Sequence, residues 1–449
     1  MTDCAFFRGF LVGVMVLLLC SATPATSPAP KPVKPPQPPP VKVRNYILLD
    51  YHGGAVLAES QSEERAEPAS LTKLMTAYVV FQELGAGRIQ VTDQAVVSET
   101  AWRMTGSRTF LQLGAQVTIE DLLKGMIIQS GNDASVALAE HVAGSEEAFA
   151  ELMNRAAQKL GMSGSHFVNS SGLPDPNHYT TAKDVALLMR AIIHDFPQYY
   201  TWYSQREFTY NGITQPNRNR LLDKDPSVDG GKTGHTDSAG YCLVTSAQRE
   251  GMRLISVVLG AEREPIRVQA TQALLNFGFR AFETHKLYEG NTALTEVRIW
   301  KGAQTQLPLG LNEPLYAMIP RGQRDNLQTA IQVQPYIEAP VAKGASYGTV
   351  KVVLAEKLLL EQPLVALQEI PRGGLWRRMM DWLSLSFRAL WNKLMGALFG
   401  DSDETEPAPE PSASSQEFLL AIIGRKPASS HSGVTAWTRS VSAGRVSIT

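Results

Sequence analysis

The sequence predicts a mixed α/β (α+β) domain built on an antiparallel sheet, then a small all-β domain and a C-terminal amphipathic helix. Three observations predict it. Strand-like runs at 46–49 and 252–260 flank a series of helical patterns. After about His285 the texture changes to short strands separated by Gly and Pro. From Gly374 apolar residues return at helical spacing.

Residues 1–25 read as a secretory signal peptide. Arg8 precedes an apolar run at 9–19, too short to span a bilayer as a mature helix, and small residues follow at Ser21, Ala22, Thr23 and Ala25. Asp3 is an unusual charge for such a leader, and the same run also fits an uncleaved anchor; either way the body is exported. Cys20 follows Leu19, whereas a lipid-attachment site has Gly, Ala or Ser there. Cleavage removes Cys4 and Cys20 and leaves Cys242, so no intramolecular disulfide forms. Within Tyr241-Cys242-Leu243-Val244 that thiol reads as a small buried hydrophobe. Residues 26–42 are a Pro-rich extended spacer.

Residues 43–285 form the expected catalytic domain. Residues 45–58 read as a hairpin turning at Gly53-Gly54. Pro68-Ala69-Ser70 opens a helix whose apolar positions are Leu71, Met75, Tyr78 and Val79. Residues 119–143 are helical in composition but broken at Ser130-Gly131-Asn132, 148–160 is an amphipathic helix stopped by Gly161, and 181–194 and 269–282 are further helices. Residues 286–371 form the β-rich domain, with strands at 297–300, 315–319 and 349–354.

Residues 372–400 form the amphipathic helix. Arg377, Asp381, Ser384, Arg388 and Asn392 make a polar stripe, opposite Trp376, Met379, Met380, Leu383, Phe387, Leu390, Trp391, Leu394 and Leu398. Arg372, Arg377, Arg378, Arg388 and Lys393 outnumber Asp381, and charges interrupt the run too often for a transmembrane span. A basic helix of this kind fits a membrane interface, the competing reading being a helix docked on the protein's own core. Residues 401–449 begin acidic and rich in Pro and Ser, and read as a disordered tail.

Composition excludes some functions. The 449 residues carry 42 Lys plus Arg against 43 Asp plus Glu, a net charge of −1, so no basic face marks a nucleic-acid partner. Three Cys cannot build a disulfide scaffold. The His residues lack HExxH spacing, so no metal is called for, and no motif calls for a cofactor.

Three short motifs carry the chemistry: Ser70-Leu71-Thr72-Lys73, Ser130-Gly131-Asn132 and Lys232-Thr233-Gly234. Each alone is a weak signal; their contexts strengthen them. Ser70 starts a helix, and Lys73 follows one turn later on the same face, which brings its amine beside the hydroxyl. Ser130 sits in a break between helical segments, and Lys232 opens a stretch suited to an edge strand beside a cleft. A serine hydroxyl needs a base, and burial plus a second cation such as Lys232 would lower the Lys73 pKa enough to provide one. Ser130 then relays a proton to a leaving amine, Asn132 holds Lys73 and a substrate amide, and Thr233, Lys232 and Arg267 bind a carboxylate. The backbone N–H groups of Ser70 and His235 would form an oxyanion hole.

Residues 68–73 (Pro-Ala-Ser-Leu-Thr-Lys), 129–134 (Gln-Ser-Gly-Asn-Asp-Ala) and 229–236 (Asp-Gly-Gly-Lys-Thr-Gly-His-Thr) closely resemble the low-molecular-mass penicillin-binding proteins that are serine-type D-alanyl-D-alanine carboxypeptidases. Asn217-Arg218-Asn219, Gly278-Phe279-Arg280 and residues 46–51 are similar to that family too, and the match spans about 43–400. The resemblance implies a penicillin-binding-protein/β-lactamase-like transpeptidase fold. It implies removal of the terminal D-Ala from peptidoglycan pentapeptides through an acyl-enzyme, with β-lactams acylating the same serine. By position it makes Ser70 the nucleophile, Lys73 its base, and Ser130 and Asn132 the second motif. Lys232, Thr233, Gly234, His235 and Thr236 become the third, with Arg218 and Arg267 near the carboxylate end. It implies the periplasmic face of the inner membrane, held by the 374–400 helix. The Pro-rich spacer and the 49 residues after Gly400 depart from the family pattern.

A β-lactamase would share the motifs but needs a base for water attack, and residues 169–179 offer Asp175 and His178 without a Glu. A D,D-endopeptidase on the same scaffold and a catalytically silent wall-binding scaffold also remain open.

Overall fold

The computed structural model describes residues 36–399; the expected signal peptide, the first part of the Pro-rich spacer and the tail from 401 lie outside the described residues. The chain divides into one unit ending at Gly373 and a second beginning at Gly374.

The predicted hairpin is β1 (Asn45–Asp50) and β2 (Val56–Ser60), paired antiparallel. A 3-10 turn at Ala69–Leu71 leads into α1 (Thr72–Gly85). Next come β3 (Gln94–Val96), α2 (Glu99–Trp102), β4 (Gln116–Thr118) and α3 (Ile119–Lys124). The break expected at 130 is sharper than a loop: Gly125–Gln129 form a π-helical turn, and α4 (Asn132–Ala143) resumes after it.

α5 (Glu146–Lys159) starts two residues before the predicted 148, because the Ser145 hydroxyl caps it by accepting the Ala148 N–H at 3.2 Å. α6 (Ala182–Asp195) is capped in the same way by Thr181. Short elements follow: α7 (Pro197–Tyr200), β5 (Glu207–Tyr210), β6 (Ile213–Pro216) and α8 (Leu221–Lys224). Three long strands, β7 (Val228–Thr236), β8 (Gly240–Arg249) and β9 (Met252–Ala261), complete the main sheet. α9 (Glu264–Ala281) begins five residues before the expected 269, since Pro265 sits in its first turn, where a missing N–H costs nothing.

The main sheet is antiparallel in the order β2-β1-β9-β8-β7. Alternation along β9 sends Ile255, Val257 and Leu259 into a core shared with α1, α4 and α6. Leu254 and Val258 face α9 on the other side, beside Leu274 and Phe277. β7 is left at the sheet edge, with no strand paired on its outer side.

Beyond α9, β10 (Phe282–Tyr288), β11 (Ala293–Arg298), β12 (Gln306–Gly310), β13 (Leu315–Pro320), β14 (Leu327–Val333), β15 (Ser346–Leu354) and β16 (Lys357–Ala366) are all strands. β10 pairs with β13, and the others form a sheet ordered β11-β12-β16-β15-β14 around Leu307, Leu309, Val350, Val352 and Leu364. The second unit holds α10 (Leu375–Phe399), in which Leu375, Trp376, Met379, Met380, Phe387 and Trp391 are exposed. The side chains of Arg388, Asn392, Leu394 and Leu398, assigned to its two faces, lie outside the described residues. Among the described residues no helix is long and apolar enough to cross a membrane.

Candidate active site

The three motifs converge from three separate segments on one cleft of about 550 Å³. Ser70 comes from the 3-10 turn, where Ala69 holds a left-handed φ of 46°. Ser130 ends the π-helical turn, also left-handed at φ 72°. The turn packs so tightly that a Cβ on Gly131 would lie 2.2 Å from Thr109 Oγ1. The third motif lies on β7, and a Cβ on Gly234 would meet the Pro68 carbonyl at 3.0 Å and the Ser70 nitrogen at 3.3 Å. Glycine there lets the edge strand of the sheet come up against the Ser70 turn.

Lys73 is 1% exposed, and its Nζ donates to Ser70 Oγ at 3.0 Å, Asn132 Oδ1 at 2.7 Å and the Ser171 carbonyl at 2.5 Å. Asn132 Nδ2 donates to the Thr105 carbonyl at 2.6 Å, which fixes its amide with Oδ1 toward Lys73. Burial lowers the Lys73 pKa from 10.5 to about 7, against the opposing pull of Asp133 and Glu146. A neutral amine has two N–H bonds and one lone pair. The carboxamide and peptide oxygens can only accept, so the two N–H bonds go to them and the lone pair faces the Ser70 hydroxyl, the one partner able to donate.

Lys232 is 2% exposed and donates to Ser130 Oγ at 2.8 Å and to the Thr233 carbonyl at 3.0 Å. Burial, then the charges of Lys73, Arg218 and Arg267, push its pKa well down. Thr233, Gly234, His235 and Thr236 line the same cleft, and exposed His235 packs its ring on Tyr241 with centroids 4.0 Å apart. Arg218 is exposed at the cleft beside Arg220, which the motifs did not single out. Arg267 also lines it, but is buried on α9. Its Nη1 donates to the Gly234 carbonyl at 3.2 Å and the Cys242 carbonyl at 3.4 Å. Its guanidinium therefore already braces β7 and β8.

Several contributors carry no motif. Ser171 supplies a carbonyl, and Gly172 lets it approach: a Cβ there would lie 1.8 Å from the Ala69 oxygen. Asp133 accepts the N–H groups of Thr109 at 2.8 Å and Leu111 at 3.1 Å, tying the 105–111 loop to α4. His178 is buried, and its Nδ1 accepts the Val168 N–H at 3.1 Å, so Nε2–H donates to Thr72 Oγ1 at 2.7 Å. Burial lowers its pKa to about 4. Its neighbour Asp175 lines an adjoining pocket instead of this cleft. Cys242 is a buried free thiol whose pKa rises to about 11 through burial. Among the described residues no His, Cys, Asp and Glu cluster could hold a metal ion.

The family described as "D-alanyl-D-alanine carboxypeptidase" matches residues 32–263, more than half of the chain. The chain belongs to that family. A second match, "Penicillin-binding protein 5, C-terminal domain", covers 282–372 and so takes in the second set of strands. D-alanyl-D-alanine carboxypeptidase DacC of Escherichia coli is 45% identical over 355 residues, 77% of this chain and 89% of the relative. The DacA relative from Haemophilus influenzae is 39% identical over 358 residues, 78% of this chain and 91% of its own length. Among solved structures, penicillin binding protein 5 from Haemophilus influenzae superposes with a TM-score of 0.70 at 40% identity, covering 75% of this chain and 99% of that one. The carboxypeptidase family and fold are thus those that the motifs implied.

Proposed function

We propose that this carboxypeptidase cleaves the terminal D-Ala from peptidoglycan pentapeptides through an acyl-enzyme on Ser70, and that β-lactams acylate the same oxygen. The observation that carries the proposal is the Lys73–Ser70 contact at 3.0 Å, made by an amine whose pKa burial lowers to about 7. Neutral Lys73 takes the hydroxyl proton as Oγ attacks the carbonyl of the penultimate D-Ala. The backbone N–H groups of Ser70 and His235 face the resulting oxyanion. Ser130, bonded to Lys232 at 2.8 Å, gives its proton to the leaving amine and takes the one Lys73 had accepted, and the C–N bond breaks to release D-Ala and leave Lys73 neutral. Water then attacks the ester, neutral Lys73 accepts its proton and delivers it to Ser70 Oγ as the ester C–O bond breaks, which restores the serine.

Asn132 orients Lys73 and the substrate amide; Lys232, Thr233 and Arg218 bind the terminal carboxylate. Gly234 allows the close approach of β7, and Thr236 and Arg267 line the cleft, Arg267 also donating to the Gly234 carbonyl. Residues 1–25 would direct export, and the apolar side chains of α10 would hold the protein at a membrane surface. No observation favours the β-lactamase, endopeptidase or silent-scaffold readings.

The test is D-Ala release from diacetyl-L-Lys-D-Ala-D-Ala by the full chain and by Ser70→Ala. Release confined to the parent supports the proposal. A folded parent that releases nothing, or a variant that keeps the activity, overturns it.

A further inference from the structure

The sheet β11-β12-β16-β15-β14 has two edges, and they differ. β11 carries Glu296 and Arg298, and its register against β12 slips between Ala293 and Thr295. Charges and register breaks of that kind keep an edge strand from joining another sheet. β14, which reads Leu-Gln-Thr-Ala-Ile-Gln-Val at 327–333, has none of them. It holds no charge, Pro or Gly, and it pairs with β15 in one unbroken register from Leu327 opposite Leu354 to Val333 opposite Gly348. Gln328 through Gln332 are all exposed, and among the described residues no strand pairs on the outer side of β14.

The ladder tells which backbone groups face outward. At one end the Gln334 N–H donates to the Tyr347 carbonyl at 2.9 Å, and at the other the Ala355 N–H donates to the Asn326 carbonyl at 3.3 Å. Hydrogen-bonded pairs in an antiparallel ladder recur at every second residue, so Gln328, Ala330 and Gln332 turn their peptide groups toward β15. Leu327, Thr329, Ile331 and Val333 turn theirs away from it. The side chains of Thr329 and Ile331 share a face with Val352 and Val350, both 0% exposed, yet Ile331 is 38% exposed.

This strand complements itself. Laid antiparallel beside a second copy about Ala330, it sets Leu327 opposite the partner's Val333 and Thr329 opposite the partner's Ile331, the four residues whose peptide groups face outward. Gln328 meets the partner's Gln332, and their amides can bond each other. Ala330 meets its own copy in a non-hydrogen-bonded pair, the closest approach in the ladder at about 4.5 Å between Cα atoms, which its methyl suits. No other register pairs all of Leu327–Val333, and no charge opposes a like charge.

We propose that β14 is a contact between copies of this chain: two copies pair antiparallel through it about a twofold axis at Ala330, joining two five-stranded sheets into one. A single strand pair is much smaller than the about 1,600 Å² of a stable interface, so the dimer is weak and forms as concentration rises.

Sedimentation equilibrium of the full-length chain, from about 1 to about 200 µM, tests the pairing, and the parent is expected to dimerise with a Kd of about 10–100 µM. Ala330→Lys and Ala330→Glu each set a charge opposite its own copy on an exposed face, and each should raise that Kd by about tenfold or more. An equimolar mixture of the two sets Lys opposite Glu and should return to within about threefold of the parent. Ile331→Pro removes an outward N–H and none that bonds β15, so it should weaken association while the sheet stays intact. Circular dichroism and urea unfolding like the parent's show that each variant is folded, independently of any activity. A parent that stays monomeric at the highest concentration overturns the proposal. So do folded variants that associate like the parent, which would assign association to another surface such as α10, and a mixture that associates no better than either charged variant alone.

Discussion

Replacing Lys73 by Met removes the amine and nearly preserves the volume of a side chain that is 1% exposed. The unfolded chain keeps the Lys73 proton up to pH 10.5, whereas the folded chain releases it near 7. Between those values the unfolded state binds more protons, so the stability of the parent rises with pH across the window. At pH 7 the buried amine costs about 4 kcal/mol, which the substitution relieves. Against that, Asn132 Oδ1 and the Ser171 carbonyl lose their donor, at about 1–3 kcal/mol each. The two effects nearly cancel, so thermal unfolding at pH 7 moves little. Its pH dependence is the sharper readout: from pH 7 to 10 the parent gains about 3 kcal/mol from this group and Lys73→Met gains none of it. Any slope from Lys232 persists in both proteins. Acylation by a fluorescent penicillin should fall by about 10²–10⁴-fold in the variant. In the parent it should rise with pH through about 7 as the amine loses its proton. An acylation rate within about tenfold of the parent, or a flat parent profile between about pH 5.5 and 8.5, would refute a neutral Lys73 base.

Three further outcomes are expected. Gly172→Ala forces a Cβ to 1.8 Å from the Ala69 oxygen at a left-handed φ of 85°. It should destabilise the protein by about 2 kcal/mol or more in urea unfolding and slow acylation further by displacing the Ser171 carbonyl. His178, with a folded pKa near 4 against 6.5, stays neutral while the unfolded chain takes up a proton, so stability is lost as pH falls from 6.5 toward 4. Urea titrations at both ends of that range should show about 3 kcal/mol of loss that His178→Phe lacks. The full chain should co-sediment with vesicles containing anionic lipid, and alanine at Trp376 and Trp391, exposed to 74% and 54%, should weaken binding by about tenfold each; unchanged sedimentation would argue for docking on protein.

Side chains with distinctive chemistry were legible in the sequence; the backbone that serves them was not. Ser70, Lys73, Ser130, Asn132 and Lys232 stand out because their types and spacing suit one reaction, and hydrogen bonds of 2.7–3.0 Å link Lys73 to Ser70 and Asn132, and Lys232 to Ser130. The expectation that Lys232 lies on an edge strand follows the β-like run after it, and β7 is such an edge. The Ser171 carbonyl left no trace in sequence, because any residue type supplies the same oxygen and only the shape of the 169–178 segment aims it. Arg267 is expected at the carboxylate end by its charge; it lines the cleft, and its Nη1 also donates to two backbone carbonyls 25 and 33 residues away, which sequence could not show. α9 starts before the expected 269, since Pro265 is tolerated in a first turn.

The edge position of β7 has a consequence for how choice is made at this site. A sheet edge offers a ladder of peptide donors and acceptors, and an extended guest that joins it is held by groups common to every amino acid. Such docking is blind to side-chain identity. It measures the direction and handedness of the guest backbone and where that backbone stops. Discrimination between one stem and another is therefore left to the features that flank the ladder. Variation among enzymes sharing this plan should gather on the 105–111 and 172–176 segments and at the far end of the 236–240 turn. The edge itself can stay the same while the diet changes.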